Sequence, residues 1–278
     1  MKYNQMRNKF ATQIGVSAAL VIFSAALAPA AQFILSIDGT DAIFLAGRDD
    51  ITVPSPSDPW TGPAGGFLVR HGSATPEEAM ETFPSSIPVA TGDTVKVADP
   101  AVGGINFFNG FGPPFFGPEG NSPTSSLTSL GDLSGYLGTQ GALAGVFLDD
   151  NNPNGSSPPA TLDFSTSASR DFLSLSPGIG QVFFIGDGQT SGGTLQEFVA
   201  PTGATRLFFG IPDGFGFNGP PGAYDDNDGS YRITVGVNED PPSSVPEGGS
   251  GAVLLGMGIL AIAIGKRCRG IRGTAKSN

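Results

Sequence analysis

Glycine and proline constrain the fold of this chain more than any other feature of its 278 residues. There are 42 glycines and 24 prolines, about a quarter of the sequence, and both residues interrupt helices and the interiors of strands. Such a content approaches the range of disordered chains. The sequence also carries 21 phenylalanines, however, and many of them lie in short β-rich runs bounded by turn residues. We therefore expect a folded all-β domain with long Gly/Pro loops.

Eight short segments have the composition of strands: 42–46, 93–98, 104–108, 143–148, 181–185, 195–199, 205–211 and 230–237. The last is the clearest because apolar and polar residues alternate along it. Short strands separated by turn residues favour an antiparallel β-sandwich over βαβ units. One helix is predicted, with Thr75 as its N-cap, Glu78 completing a capping box and Pro84 following its last residue at 83. Residues 32–84 are expected to supply the first strands of the sandwich or to form a separate decoration.

The N-terminus has the pattern of a secretory signal peptide. Basic residues at positions 2, 7 and 9 precede an apolar run over 14–27, and Ala28-Pro29-Ala30 offers a small-x-small cleavage pattern. Residues 1–31 are therefore predicted to direct export and to be removed. The alternative is an uncleaved N-terminal anchor.

The C-terminus carries a second apolar run with its own flanking signals. Val245-Pro246-Glu247 ends a flexible stalk over 238–250, and the uncharged run 251–265 is followed by the basic residues Lys266, Arg267 and Arg269. We predict a single transmembrane helix over 251–265 and a cytoplasmic tail over 266–278. A helix of that length rises only about 22 Å, against roughly 30 Å of hydrocarbon, which suits a temporary hold.

This order of motif, apolar run and basic stop resembles the PEP-CTERM sorting tails of Gram-negative bacteria. The resemblance implies recognition by an exosortase, which is a membrane protease-transpeptidase. It also implies that the inner membrane holds the protein only transiently, before release to the cell surface or extracellular matrix.

The predicted exported body is strongly acidic. Only six of the 14 Lys and Arg lie in it, together with all 25 Asp and Glu, so its formal charge is −19. Such a surface argues against nucleic acid as a partner, because phosphates need basic side chains, and favours divalent cations or simple solubility. The single cysteine, Cys268, lies in the basic tail, so the body has no disulfide.

Catalytic motifs are nearly absent. The only histidine, His71, would have to serve any Ser-His-Asp arrangement, and no Gly-x-Ser-x-Gly motif accompanies it. With one histidine and no cysteine in the body, cysteine-histidine catalysis and a three-histidine zinc site are excluded. Paired carboxylates for glycoside hydrolysis stay open. We expect a binding or structural protein rather than an enzyme.

Two acidic loops are candidates for a cation. In the first, Asp150, Asn152, Asn154 and Gly155 match the opening of a calcium loop, but Thr161 stands where a glutamate is required. A solvated hairpin loop is therefore favoured there. The second loop holds four oxygen-bearing side chains over 225–228, directly before the clearest strand. These would repel one another unless they are solvated or bridged by a hard cation.

The second acidic loop carries a family resemblance. Residues 221–231, Pro-Gly-Ala-Tyr-Asp-Asp-Asn-Asp-Gly-Ser-Tyr, are similar to the C-terminal calcium loop of the PA-I-type galactophilic lectins of bacteria. Further pieces of the resemblance, at 92–95, 110–113, 116–120, 141–143 and 203–209, occur in matching order over 85–237. The resemblance implies a jelly-roll or galactose-binding-like β-sandwich over these residues.

It also implies a calcium ion held by two side chains and two backbone carbonyls, those of Asp226, Asn227, Phe111 and Ala223. The family has a further aspartate upstream, where the simple alignment puts Gly219. Because this loop is longer, Asp213 is expected to reach the ion instead. Asp225 and Asp228 are further candidates, or solvated loop charges.

In those lectins the ion also binds two sugar hydroxyls. Residues 122–136 contain neither the histidine nor the glutamine with which the family contacts the sugar. The aromatic cluster Phe107, Phe108, Phe111, Phe115 and Phe116 would line a sugar site or belong to the core. Two functions follow: a calcium-dependent module that binds exopolysaccharide or another glycan, or a calcium-stabilised structural matrix protein without ligand recognition.

Overall fold

The computed structural model describes residues 29–51, 53, 81–107, 114–155 and 157–242, and the side chains of all of these except 99–102 and 225. Residues 1–28 of the predicted signal peptide, the sorting motif, the membrane segment and the basic tail lie outside these ranges. Within them, no helix is both long enough and apolar enough to cross a membrane. Ala31, the last residue of the predicted signal peptide, is the first residue of a strand.

The regular secondary structure of the described residues is mostly β-strand with very little helix, which confirms the all-β prediction. The strands are β1 (Ala31–Asp38), β2 (Ser85–Pro88), β3 (Thr94–Asn106), β4 (Asn121–Leu127), β5 (Tyr136–Gln140), β6 (Ala144–Leu148), β7 (Ser174–Leu175), β8 (Val182–Phe184), β9 (Glu197–Val199), β10 (Arg206–Gly210), β11 (Asn218–Gly219) and β12 (Asp228–Val237). A single α-helical turn, α1 (Ser167–Arg170), and 3₁₀ turns at Ile43–Leu45, Phe215–Phe217 and Tyr224–Asp226 complete the elements.

The strands form three sheets. The first has the order β1-β12-β3-β9-β7, the second β2-β10-β6-β8 and the third β11-β4-β5. The second sheet is antiparallel throughout, whereas the first and third each contain one short parallel pair, β7–β9 and β11–β4. Because β10 runs antiparallel to β6, Gly210 faces Ala144 at one end of the second sheet and Arg206 faces Leu148 at the other.

Four strands lie within predicted segments, namely β6, β8, β9 and β10, and β12 contains the whole of the predicted segment 230–237. Residues 94–98 and 104–106 are β-strand as predicted, but they belong to one strand, β3, and not to two separate strands. The register of β3 with β12 shifts between Arg232 and Thr234, where residues 99 and 100 bulge out of the ladder. The strand predicted over 42–46 is wrong. All five residues are fully buried and include the 3₁₀ turn Ile43–Leu45, and a short apolar run does not distinguish a strand from another buried segment.

The predicted helix is not found at its described end. Residues 81–83 are not helical, and Thr82 forms a β-bridge with Asp41. The Thr82 hydroxyl donates a 2.6 Å hydrogen bond to the Asp41 carboxylate, and its N–H donates to the Thr40 carbonyl at 2.8 Å. These contacts fix an extended backbone where the capping pattern predicted a helix. The N-terminal part of that helix lies outside the described residues.

Phenylalanine rings join the first two sheets. Phe183 of β8 is fully buried and stacks on Phe147 of β6 with ring centroids 5.4 Å apart. On its other side it stacks on Phe198 of β9, in the first sheet, at 5.2 Å. One hydrophobic core contains these rings and residues of β1, β10 and β12.

Truncating the central ring should destabilise the whole domain. We expect Phe183→Ala to lower the free energy of unfolding by about 3–5 kcal/mol, because it removes both stacking contacts and leaves a cavity. Urea unfolding, monitored by far-UV circular dichroism, measures the change. The matched control is Phe83→Ala, whose ring is 48% exposed and which should cost about 1 kcal/mol or less. Equal losses for the two variants would contradict the assignment of the core.

Candidate functional site

The turn that precedes β12 is built on an unusual backbone. Ala223 adopts a left-handed conformation (φ 62°, ψ 27°) and opens the 3₁₀ turn Tyr224–Asp226, which ends at Asn227. The Asn227 N–H donates to the Tyr224 carbonyl at 3.1 Å. A left-handed conformation costs a non-glycine residue roughly 1–2 kcal/mol, so the surrounding contacts must hold this turn in place.

Tyr224 provides those contacts and links the turn to Asp213. Its side chain is fully buried, and its hydroxyl donates to the Ile211 carbonyl at 2.6 Å and accepts from the Asp213 N–H at 3.1 Å. The Gly222 N–H also donates to the Asp213 carbonyl at 3.1 Å. Asp213 therefore lies beside residues 222–224, although several residues separate them in sequence.

The polar side chains at this turn are almost completely buried. Asp213 is 2% exposed, and its Oδ1 accepts the Gly214 N–H at 2.7 Å. Asn227 is 8% exposed, and its Nδ2 donates to the Gly39 carbonyl at 2.8 Å. The Asn227 Oδ1 is buried and accepts no hydrogen bond from any described residue. A buried acceptor without a donor costs roughly 1–3 kcal/mol, so this oxygen is suited to a cation.

Glu81 is a further buried acidic residue near Tyr224, and the sequence did not indicate it. It is 2% exposed. Burial raises the pKa of the Tyr224 hydroxyl well above its usual value, and the charges of Asp213 and Glu81 raise it further. The tyrosine therefore stays neutral and keeps its proton to donate. Because Glu81 reaches the turn from a distant part of the chain, only the fold identifies it.

Four of the five predicted calcium ligands lie in the described residues. Ala223, Asp226 and Asn227 all lie in the turn over residues 223–227, and Asp213 contacts the same turn. Asp226 is partly exposed. Phe111 lies outside the described residues. Within the described ranges, no group of three or more His, Cys, Asp or Glu side chains is arranged to hold a metal ion. Any ion here would therefore depend on amide and carbonyl oxygens as well as on carboxylates.

Two segments flank Phe111 in the sequence, and both contact β12. The first is β3, which pairs with β12, and the second is the stretch 114–117. Phe107 is 3% exposed and stacks on Phe116 with centroids 5.1 Å apart. The Tyr231 hydroxyl of β12 donates to the Gly117 carbonyl at 2.9 Å. Phe115 is 48% exposed. Of the predicted aromatic cluster, Phe107 belongs to the core and Phe115 is open to solvent, while Phe108 lies outside the described residues with Phe111.

The first acidic loop is organised by protein groups instead of a shared ion. Asp150 accepts from the Thr205 hydroxyl at 2.7 Å, whereas the Asn152 and Asn154 amides donate to Asp50 at 3.0 and 2.6 Å. Asp150 is thus bound by Thr205, whereas both asparagine amides are bound to Asp50. Arg48 binds the Asp50 carboxylate through two contacts of 2.7 and 2.8 Å and lowers the pKa of that carboxyl well below its usual range.

A pair of carboxyl groups lies at a third position, beside a small cavity of about 160 Å³. Much of the Glu119 residue is exposed to solvent. Its carboxylate oxygen Oε1 accepts a hydrogen bond from the Asp187 N–H at 3.0 Å. Partial burial raises the pKa of the Glu119 carboxyl, and the nearby negative charge of Asp187 raises it further. Arg170, which also lines the cavity, lowers it. A raised pKa at this position predicts that the stability of the fold depends on pH.

Comparison of the chain with protein-family models, with curated proteins and with solved structures gave no match.

Replacing Glu119 should change how stability depends on pH. Between the usual glutamate pKa of about 4.3 and the raised value, the folded state binds more protons than the unfolded state. The free energy of unfolding contributed by this group therefore falls as the pH rises through that window. We expect Glu119→Gln to remove this loss, so that the variant melts higher than the parent at pH 7 and no higher at pH 4.

Thermal unfolding at both pH values measures this difference. Glu239→Gln, the same substitution in the turn that follows β12, serves as the control and should show no such pH-dependent gain. A Glu119→Gln protein with the same difference in melting temperature from the parent at both pH values would refute the coupling.

Proposed function

We propose that this protein is exported through a signal peptide in residues 1–31 and sorted by an exosortase that recognises Val245-Pro246-Glu247. It is held transiently in the inner membrane by the helix 251–265 and then released to the cell surface or matrix of a Gram-negative bacterium. There its body, an antiparallel β-sandwich of the jelly-roll type, binds carbohydrate through a calcium ion. It acts as a binding module and not as an enzyme.

The buried Asn227 Oδ1 is the observation that carries the calcium proposal. Calcium prefers six to eight oxygen ligands, from carboxylates, side-chain amides and backbone carbonyls. Asp213, Asp226 and Asn227 offer such side chains, and the carbonyls of Ala223 and Phe111 complete the proposed set. When bound, the ion would supply a positive centre on which sugar hydroxyls replace water.

Charge balance supports a cation at this turn. No lysine or arginine occurs between residues 207 and 231, while four aspartates do. Elsewhere, basic side chains neutralise acidic ones: Lys96, for example, contacts Glu197 at 3.2 Å and Asp240 at 2.8 Å. A hard cation is the counter-charge that would let the aspartates of the turn remain ionised together.

A structural role for calcium is the second candidate, and the burial of the ligands favours it. Asp213 and Asn227 are only 2% and 8% exposed, so an ion held mainly by them would offer little of its coordination shell to a sugar. The partly exposed Asp226 is the side chain through which the shell would open. In the structural alternative, calcium stabilises the turn and the matrix protein recognises no ligand.

Calcium should stabilise the parent protein and not the Asn227→Ala variant. At a calcium concentration 100 times the Kd, binding adds about 2.7 kcal/mol to the free energy of unfolding, or about 5–11 °C in melting temperature. Asn227→Ala should lose this increment, and Asp226→Ala should reduce it. Asp163→Ala, which removes an exposed carboxylate far from the turn in sequence, is the control and should keep it.

A glycan array probed with and without EGTA distinguishes the two candidates. Binding that EGTA abolishes supports the carbohydrate module. Calcium stabilisation without any EGTA-sensitive glycan signal would support the structural role and refute the lectin proposal. If calcium leaves the melting temperatures of parent and variant unchanged, both candidates fail.

The sorting motif is tested in the native host. Replacing both Pro246 and Glu247 by alanine should leave the protein uncleaved in the inner membrane, because the protease would no longer recognise its site. Membrane fractionation and the size of the product measure this. A double Ser243→Ala, Ser244→Ala variant in the same stalk should be released as the parent is, and normal release of the Pro246/Glu247 variant would overturn the proposal.

A further inference from the structure

A cavity of about 350 Å³ lies at one end of the second sheet. The turn over residues 223–227, the calcium turn, lies at the other end. Leu148, the last residue of β6, is part of the cavity lining, and it faces Arg206 at the start of β10. Asp213 follows the end of β10. The cavity and the calcium turn are therefore at opposite ends of the same strands and do not share residues.

Hydrogen bonds between separate chain segments hold the walls of the cavity. The Asp132 N–H donates to the Pro153 carbonyl at 2.8 Å, and the Gly155 N–H donates to the Asp132 carboxylate at 2.9 Å. The Gly180 N–H donates to the Phe147 carbonyl at 3.0 Å. Gly180 has φ 75°, and a Cβ there would lie 2.5 Å from the Asp132 carbonyl. The walls are thus formed before any ligand arrives, as is usual for small-molecule sites.

Two arginine side chains hold the loop 149–155, which contributes to the cavity wall. Arg206 donates to the Asp149 carbonyl, with its Nε at 3.1 Å. The Asp149 carboxylate in turn accepts from the N–H and side-chain amide of Asn151 at 3.0 and 2.7 Å. Arg48 and Asp50 fix the amides of Asn152 and Asn154, as described above. The two arginines thus bind the Asp149 carbonyl and the Asp50 carboxylate, and they do not bind the carboxylates of Asp132 and Asp149.

The lining combines apolar and polar residues. Leu148, Ile179 and two prolines form the apolar part, and Asp132, Asp149, Asn151, Asn152 and Ser157 provide carboxylate, amide and hydroxyl groups. A sugar ring matches this combination, since its hydroxyls both donate and accept while its C–H groups are apolar. The volume is within the range of about 300–1,000 Å³ that is usual for small-ligand sites.

The charge of the lining selects among sugars. Asp132 and Asp149 both line the cavity, whereas the guanidinium groups of Arg48 and Arg206 are bound to protein oxygens. A uronic acid or phosphate would be repelled by the two carboxylates and would find few donors to compensate. Neutral and amino sugars avoid this cost.

From these features we propose that the cavity lined by Asp132, Asn151, Ser157 and Ile179 is a calcium-independent binding site for one neutral or amino hexose unit of a glycan. The site is separate from the calcium turn and does not depend on it. If both sites bind the same polymer, the effective local concentration of the second site strengthens attachment without any new contact. The body would then crosslink matrix polysaccharide.

The test uses saturation-transfer NMR on the full chain in a detergent without a sugar headgroup and in excess EGTA. The probes are glucose, galactose, mannose, glucosamine, N-acetylglucosamine and glucuronate. We expect a signal from at least one neutral or amino hexose and a weaker one from glucuronate. Ser157→Tyr, which places a ring in the cavity, should reduce the signal to background. Ser174→Tyr, at an exposed serine of β7, should retain it.

Asn151→Ala is a second variant in case the tyrosine disturbs folding, and it should weaken the signal at least several-fold. The absence of any hexose or hexosamine signal from the folded parent in EGTA would overturn the proposal. So would a signal that survives both Ser157→Tyr and Asn151→Ala, or glucuronate binding as strong as that of the neutral sugars. Asn227→Ala should leave the EGTA-resistant signal unchanged, so a failure of the calcium proposal is recognised separately.

Discussion

The rings of Phe147, Phe183 and Phe198 form a continuous stack that connects the first two sheets. The sequence has a single cysteine, Cys268, so no disulfide within the chain contributes to holding these sheets together. Glycine loses more backbone freedom on folding than any other residue, which makes a Gly-rich body expensive to order. Large buried rings, of about 150–250 Å² each, provide the apolar area that offsets this cost.

Glycine in turn allows the close strand approaches that position the candidate site. Gly229, two residues after Asn227, has φ 91°, and a Cβ there would clash with the Gly104 carbonyl of β3. Only glycine lets β12 begin so close to its neighbour. The buried acidic and amide groups of the turn, Asp213, Glu81 and Asn227, therefore lie at the margin of the core. Among them, the Asn227 Oδ1 accepts no hydrogen bond from a described residue, and a buried polar group of this kind destabilises a fold.

Strands with strong apolar content were predictable from sequence, and polar ones were not. β12 alternates clearly, and β6 and β10 are short apolar runs. β4 has the sequence NSPTSSL, which lacks the β-branched and aromatic signal, and is a strand because β5 and β11 pair with it. Hydrogen bonds place Asp213 beside the turn that ends at Asn227. Both residues were singled out by the family resemblance of residues 221–231. Glu81 was not, since its place beside Tyr224 depends on the bridge of Thr82 to Asp41.

The two acidic loops differ in how their charge is balanced, although their sequences use the same residue types. The loop around Asp150 has its carbonyls and neighbouring carboxylates bound by Arg206 and Arg48, so the protein itself supplies the cations. The turn before β12 has no basic residue in its sequence neighbourhood and buries an amide oxygen that accepts no hydrogen bond from a described residue. The sequence favoured a solvated hairpin for the loop around Asp150, and the family resemblance favoured the turn before β12. The position of Arg48 and Arg206 beside the first loop is a physical reason to propose calcium at the second loop and not at the first.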